Sequence, residues 1–222
     1  MRIRRKPWAR PELESSELFV VSPEKYKGIW STKFASKLAP LCLELGCGKG
    51  MFLSKIAAKN SKCNYIGLDI KNEMLVLAKR NIEREYNERK LPMSNILLTA
   101  YDIARINNIF CNKDIVDKIY INFCNPWPRS KHKKRRLTHV RQLTKYREFL
   151  KPGGKIYFKT DDNDLFLESK NYLKECKFTI AYETDNITDL DLKDNIETEH
   201  ERMFRLAGKT IKFLIAEKLS ND

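Results

Sequence analysis

Short apolar runs alternate with longer amphipathic stretches along this chain, and the first junction between them is a loop with a glycine at every second position. Leu41 to Leu45, Asn64 to Asp69, Asn95 to Thr99, Lys118 to Phe123 and Lys155 to Lys159 each read as a short core strand. Between them, Met51 to Lys59, Asn72 to Glu88 and Leu137 to Leu150 carry apolar residues three and four positions apart. Examples are Met74, Leu77, Ala78 and Ile82 in the second and Val140, Leu143 and Phe149 in the third. Such alternation predicts βαβ units and a parallel sheet, because parallel strands need a crossover that a helix supplies. Lys151-Pro152-Gly153-Gly154 is expected to stop the third helix and turn the chain into the next strand. Phe178 to Tyr182 and Ile211 to Glu217 extend the sheet, with an antiparallel member among them. At 222 residues the chain suits one α/β domain, with a basic, flexible N-terminal arm over residues 1–15.

Charge narrows the partners. The 43 Lys and Arg against 29 Asp and Glu leave a formal net charge of +14, concentrated at residues 2–10 and 129–136. Clustered cations attract phosphates and speed their encounter, so nucleic acid is the expected partner. No run approaches the about 20 apolar residues of a membrane span, and the Arg-rich start lacks an apolar core, so a cytoplasmic location is expected. The six cysteines form no CxxC pair and no zinc-finger spacing with the three histidines. Reduced, mostly buried thiols and no metal are the expectation.

Leu43-Glu44-Leu45-Gly46-Cys47-Gly48-Lys49-Gly50 lies between the first strand and the first helix, where glycines let a backbone turn tightly and approach a ligand. A dinucleotide fingerprint would need its last glycine at Met51, and a pyrophosphate would be repelled by Glu44. The pattern E-x-G-x-G-x-G instead resembles the first motif of S-adenosylmethionine-dependent methyltransferases, whose cofactor carries a sulfonium and an ammonium. Asp69 ends the second strand, where a carboxylate can accept from both ribose hydroxyls or simply cap the next helix. Asp102, past the third strand, matches the position near the adenine, although aspartate is also common in loops.

The fourth strand empties into Asn125-Pro126-Trp127-Pro128, followed at once by Arg129-Ser130-Lys131-His132-Lys133-Lys134-Arg135-Arg136. A possible catalytic elbow therefore abuts a dense cationic patch. With Arg4-Arg5-Lys6-Pro7-Trp8, the glycine loop, Phe158-Lys159-Thr160-Asp161 and Thr198-Glu199-His200-Glu201, this chain resembles the tRNA (guanine-N7)-methyltransferases nearly end to end. The resemblance implies a Rossmann-like class I methyltransferase fold: a mostly parallel seven-stranded sheet with one antiparallel strand and helices on both faces. It implies methyl transfer from S-adenosylmethionine to N7 of a variable-loop guanine in tRNA, by a monomer or homodimer with no obligatory protein partner.

Carried over by position, the resemblance puts Glu44, Gly46, Gly48, Gly50, Asp69, Asp102 and Asn125 around the cofactor, with Asn125 also catalytic. Arg129, Asp161, Thr198, Glu199, His200 and Glu201 fall around the target nucleotide. The tRNA backbone falls to Arg4, Arg5, Lys6, Lys131, Lys133, Lys134, Arg135 and Arg136. Other readings stay open: Thr198 with Glu201 also forms a helix capping box, Asp161 could bound a turn, and Arg129 could hold a phosphate instead of a base. The family's usual elbow is Asp-Pro-Trp-Pro, and this chain has Asn125. An amide cannot act as a general base, yet guanine N7 bears no proton, so positioning can suffice. Asn-Pro-Trp-Pro also loosely resembles the elbow of amino-group methyltransferases, which leaves methylation of an exocyclic amino group open. A tRNA-binding protein that has lost turnover is the non-enzymatic alternative.

Overall fold

The structure, a computed structural model, describes residues 6–187 and 195–219. Two compact units divide the chain, Met1–Asp114 and Ile115–Asp222.

In the first unit, β1 (Leu41–Leu45), β2 (Asn64–Asp69) and β3 (Ile96–Ala100) are parallel and ordered β3-β2-β1. All five residues of β1 are buried, as expected of a strand covered on both faces. Register pairs Leu45 with Leu68 and Asp69 with Ala100, so the three carboxyl ends open at one edge. The crossovers are α2 (Met51–Lys59) and α3 (Asn72–Glu88), both with the boundaries the periodicity predicts. The third strand starts one residue later than expected because Asn95 is spent as a buried tie. Its amide donates to the carbonyls of Ala57 (3.1 Å) and Cys63 (3.0 Å), and its oxygen accepts from Tyr86 Oη (2.7 Å).

The N-terminal arm expected over residues 1–15 contains a short helix in its described part. Ala9–Glu14 form helix α1, whose Ala9 and Leu13, one turn apart, are fully buried. Glu12 clamps it to α3 through a two-point pair with Arg80, at 3.1 and 2.8 Å. Arg4 and Arg5 lie outside the described residues.

The second unit holds β4 (Val116–Asn122), α4 (Val140–Phe149), β5 (Leu150–Thr160), α5 (Asn163–Glu175), β6 (Phe178–Thr184), α6 (Glu199–Leu206) and β7 (Lys212–Lys218). Its strands are ordered β4-β5-β7-β6, and β7 is the reversed member, antiparallel to both neighbours. Helix α4 begins at Val140 rather than Leu137 because His139 caps it, its Nδ1 accepting from Arg141 N at 3.2 Å. Strand β5 follows α4 directly, and the Lys151-to-Gly154 turn is absorbed as an irregularity in the β4–β5 ladder, with Gly153 at φ +71°.

Candidate functional site

The glycine loop leaves the carboxyl end of β1 and is moored to β2 by backbone bonds. Gly46 N and Cys47 N both donate to Leu68 O, at 2.8 and 2.9 Å. Gly46, Gly48 and Gly50 all have φ between +52° and +79°, a region side chains rarely occupy. At Gly50 a Cβ would also lie 2.7 Å from Ala78 Cβ, so the start of α2 is seated directly on α3.

Asp69 faces this loop from the end of β2. Its Oδ2 accepts from Gly48 N (3.0 Å) and its Oδ1 from Lys71 N (2.9 Å), so it both shapes the loop and opens α3. Burial pushes its carboxyl above the ordinary value, and the two N–H groups offset that only in part. Glu44, 3% exposed, projects from β1. The buried Cys47 thiol is pushed well up by burial and then by the charges of Glu44 and Asp69, so the loop lies in the field of both carboxylates. Asp102 follows β3, where Tyr101 N donates to Asp69 O at 2.9 Å. Its exposed carboxylate accepts from Ala104 N at 2.9 Å and caps a 3-10 turn. Two converging carboxylates and an open backbone suit a ligand bearing a sulfonium, an ammonium and ribose hydroxyls, and repel a pyrophosphate. The donor set therefore fits S-adenosylmethionine.

In the second unit, β4 runs into the elbow through Phe123 (φ +51°), and Trp127 is also left-handed (φ +44°). Non-glycine residues held there cost about 1–3 kcal/mol each and cluster at functional sites. Asn125 is exposed, and its Oδ1 accepts from Trp127 N at 3.0 Å. Phe123 N is held by Lys159 O of β5 (2.9 Å), and the Phe123 ring stacks on His200 with centroids 5.8 Å apart. Elbow, β5 end and α6 start thus meet.

Not every expected contact residue faces outward. Thr198 and Glu201 form the capping box: Thr198 Oγ1 accepts from Glu201 N (3.0 Å) while Glu201 Oε2 accepts from Thr198 N (3.5 Å). Glu201, expected beside the nucleotide, is fully buried against Lys159. Glu199, His200 and Arg129 are exposed. Asp161 is paired with Lys209 at 2.8 Å.

The basic run divides in two. Lys131, Lys134 and Arg135 are exposed, and Arg135 lies over the Trp127 ring at 5.2 Å. Arg136, also assigned to the tRNA backbone, is only 1% exposed and faces Glu168 instead of solvent. It turns inward because Glu168 and the Pro126 carbonyl satisfy its guanidinium. Lys133 is likewise paired with Glu168. Lys6 is exposed beside Trp8, its Nζ 5.3 Å from the ring centroid. Lys159, Glu168 and Lys209, which pair with Glu201, Arg136 and Asp161, are partners that sequence reasoning missed, and no local signal marks them.

A family model described as a putative methyltransferase matches residues 38–214. Among solved structures, a 16S rRNA methyltransferase superposes with a TM-score of 0.59 at 13% identity, covering 81% of this chain and 88% of that one. An antibiotic-related methyltransferase gives 0.56 at 19% identity, covering 80% and 86%. With strands parallel within each unit except β7, fold and cofactor cradle define a Rossmann-like class I methyltransferase that uses S-adenosylmethionine. A tRNA (guanine-N(7)-)-methyltransferase of Clostridium perfringens (strain 13 / Type A) is 54% identical over 219 residues, 99% of this chain and 100% of its own. One from Clostridium botulinum (strain Eklund 17B / Type B) is 55% identical over 218 residues, 98% and 99% of the two chains. The chain belongs to the tRNA (guanine-N7)-methyltransferase family, and N7 rather than an exocyclic amino group is its target.

Proposed function

We propose that the methylated guanine is that of the tRNA variable loop, that Glu44, Gly46, Gly48, Gly50, Asp69 and Asp102 hold the cofactor, and that Asn125 orients the base. The observation that carries the reading is the pair of carboxylates, Glu44 and Asp69, acting on one left-handed glycine loop with Asp69 3.0 Å from Gly48 N. When bound, S-adenosylmethionine supplies an electrophilic methyl carbon on a sulfonium centre. Glu44 and Asp69 provide the negative field such a cation needs, and Asp69 and Asp102 offer acceptors for ribose and adenine donors.

Guanine N7 carries an in-plane lone pair and no proton, so no residue of this chain has to act as a base. The work left to the protein is alignment and electrostatics. Asn125 suits that work. The Trp127 N–H fixes its carbonyl, which keeps a second lone pair, and its amide keeps two donors. Asp161 offers a carboxylate matched to the guanine N1–H and amino group, exchanging its pair with Lys209 for the base. Arg129, Glu199 and His200 take the rest of the nucleotide, and Thr198 with Glu201 builds the turn that presents them. Lys131, Lys134 and Arg135, with Arg4, Arg5 and Lys6 at the N-terminus, hold the phosphates. Among the described residues no helix is long and apolar enough to cross a membrane. The enzyme works in the cytoplasm, as monomer or homodimer, without an obligatory protein partner.

The test is methyl transfer from labelled S-adenosylmethionine to unmodified tRNA, with nucleoside mass spectrometry and mapping of the modified position. N7-methylguanosine in the variable loop is expected from the parent and from Asn125→Asp, and a kcat about 100-fold lower from Asn125→Ala. Unchanged kcat in Asn125→Ala removes the role given to this residue.

A further inference from the structure

Behind the elbow, a cluster of polar side chains is built around one buried guanidinium, that of Arg136. Arg136 closes the segment Pro126–Arg136 on itself: its Nε donates to Pro126 O at 2.6 Å and its Nη1 to Glu168 Oε2 at 2.8 Å. Glu168, on α5, also accepts from Tyr172 Oη at 2.8 Å and pairs with Lys133. A guanidinium this buried is stable only while its partners stay in place, because an unpaired buried charge is strongly disfavoured. Its planar fork fits the two acceptors at once, which a lysine ammonium on a flexible stem does not.

The stretch so fastened is one the backbone would not adopt unaided. Pro126 sits between Asn125 and Trp127, and Trp127 is held left-handed while its N–H grips Asn125 Oδ1. Strained conformations persist only where surrounding contacts over-determine them. The Arg136 bond to Pro126 O is the contact that reaches the elbow backbone from a helix of the core, through Glu168.

We propose that Arg136 and Glu168 are positioning residues that set the elbow, so that a helix α5 carboxylate determines where Asn125 meets the guanine. The proposal rests on the reading of Asn125 given above. It assigns the two inward cations of the basic run a task different from the outward ones: Arg136 and Lys133 hold geometry, whereas Lys131, Lys134 and Arg135 hold RNA.

The test uses full-length protein labelled with fluorotryptophan, which reports Trp8, Trp30 and Trp127 separately by fluorine NMR; the Trp127 resonance is assigned by its loss in Trp127→Phe. Glu168→Gln keeps the shape of the side chain and loses its charge, and Arg136→Lys keeps the charge and loses the fork. In both, the Trp127 resonance should shift or broaden while those of Trp8 and Trp30 stay. The kcat for tRNA methylation should fall about 10- to 100-fold with the tRNA KM and the cofactor Kd within about 2-fold. An unmoved Trp127 resonance with unchanged kcat in Glu168→Gln overturns the proposal. So does a general effect, in which all three resonances move and KM and Kd worsen together. Full activity of Asn125→Ala, by contrast, defeats the reading of Asn125 and leaves the Trp127 response to be read by itself as a property of the elbow.

Discussion

Lys159 Nζ lies 2.8 Å from Glu201 Oε2, with the two side chains 5% and 0% exposed. Glu201 also accepts from Asn195 Nδ2 (3.0 Å) and pairs with Arg205 (3.2 Å), so the segment leading into α6 is fastened to β5 by one carboxylate. Burial drives the Lys159 ammonium down, and Glu201 opposes that shift. Lys159→Met should therefore destabilise the protein by about 3–5 kcal/mol, because Glu201 is left as a buried charge without its main partner. Replacing both residues by Met should cost less than the single change. Urea unfolding of the three proteins checks this, and a double variant no more stable than Lys159→Met would refute it.

Gly50 and Gly208 have nearly the same backbone, at φ +67° and +72°, and differ in surroundings. A Cβ on Gly50 meets Ala78 Cβ at 2.7 Å and Ala78 Cα at 3.0 Å, whereas nothing lies within 4 Å of one on Gly208. Gly208→Ala should cost about 1 kcal/mol from the left-handed backbone alone. Gly50→Ala should cost a further 1–3 kcal/mol, roughly the penalty of overpacking, and also weaken cofactor binding. Denaturant midpoints that do not separate the two variants would argue against a tight seat of α2 on α3.

In the proposed function Asp69 couples pH to cofactor binding. Its folded carboxyl titrates above its ordinary value, chiefly through burial, so the folded state holds the proton more readily than the unfolded chain. Its stabilising contribution is therefore fully present below the unfolded value and is lost as pH rises through the folded one. A charged Asp69 is a cost to stability, because burial disfavours the ionised carboxyl. Asp69→Asn should unfold at pH 7 within about 1 kcal/mol of the parent, relief of the buried charge offsetting one lost N–H bond. Its affinity for S-adenosylmethionine should fall about 10- to 100-fold, the equivalent of a charged hydrogen bond. Calorimetry across pH should show parent affinity weakening toward acid as the carboxylate protonates, and a flatter profile in the variant.

The division of the basic run is measurable in salt. Lys131→Ala and Lys134→Ala remove exposed cations, and each should lower the slope of log tRNA affinity against log salt by about 1. Cofactor affinity should be unaffected. Slopes equal to the parent's would mean that the outward lysines do not meet the phosphates.

Much of this enzyme was legible from residue order alone because the signals were local. Helices α2 and α3 have the boundaries their apolar spacing indicates, and β1 and β2 those of their apolar runs. The glycine spacing marked the cradle, since a left-handed loop leaves its trace in the residues that form it. The reversed strand came from the two late apolar segments, of which β7 is the antiparallel one.

Other features needed the tertiary structure. Arg135 and Arg136 are adjacent and identical in type, yet one covers Trp127 at the surface and the other is buried on Glu168, 32 positions away. Helix α1 within the arm of residues 1–15 had no signal in the sequence, because Arg80, which holds its Glu12, is 68 positions on. The capping box was readable at Thr198 and Glu201, but the burial of Glu201 depends on Lys159 across the sheet. Periodicity, glycine spacing and caps are properties of neighbouring residues, so the sequence by itself determined β1, β2, α2, α3 and the left-handed glycine loop. Which cation finds which carboxylate is decided by distances that exist only after the chain has closed, and only the tertiary structure separated the exposed cations of the basic run from those tied to a carboxylate.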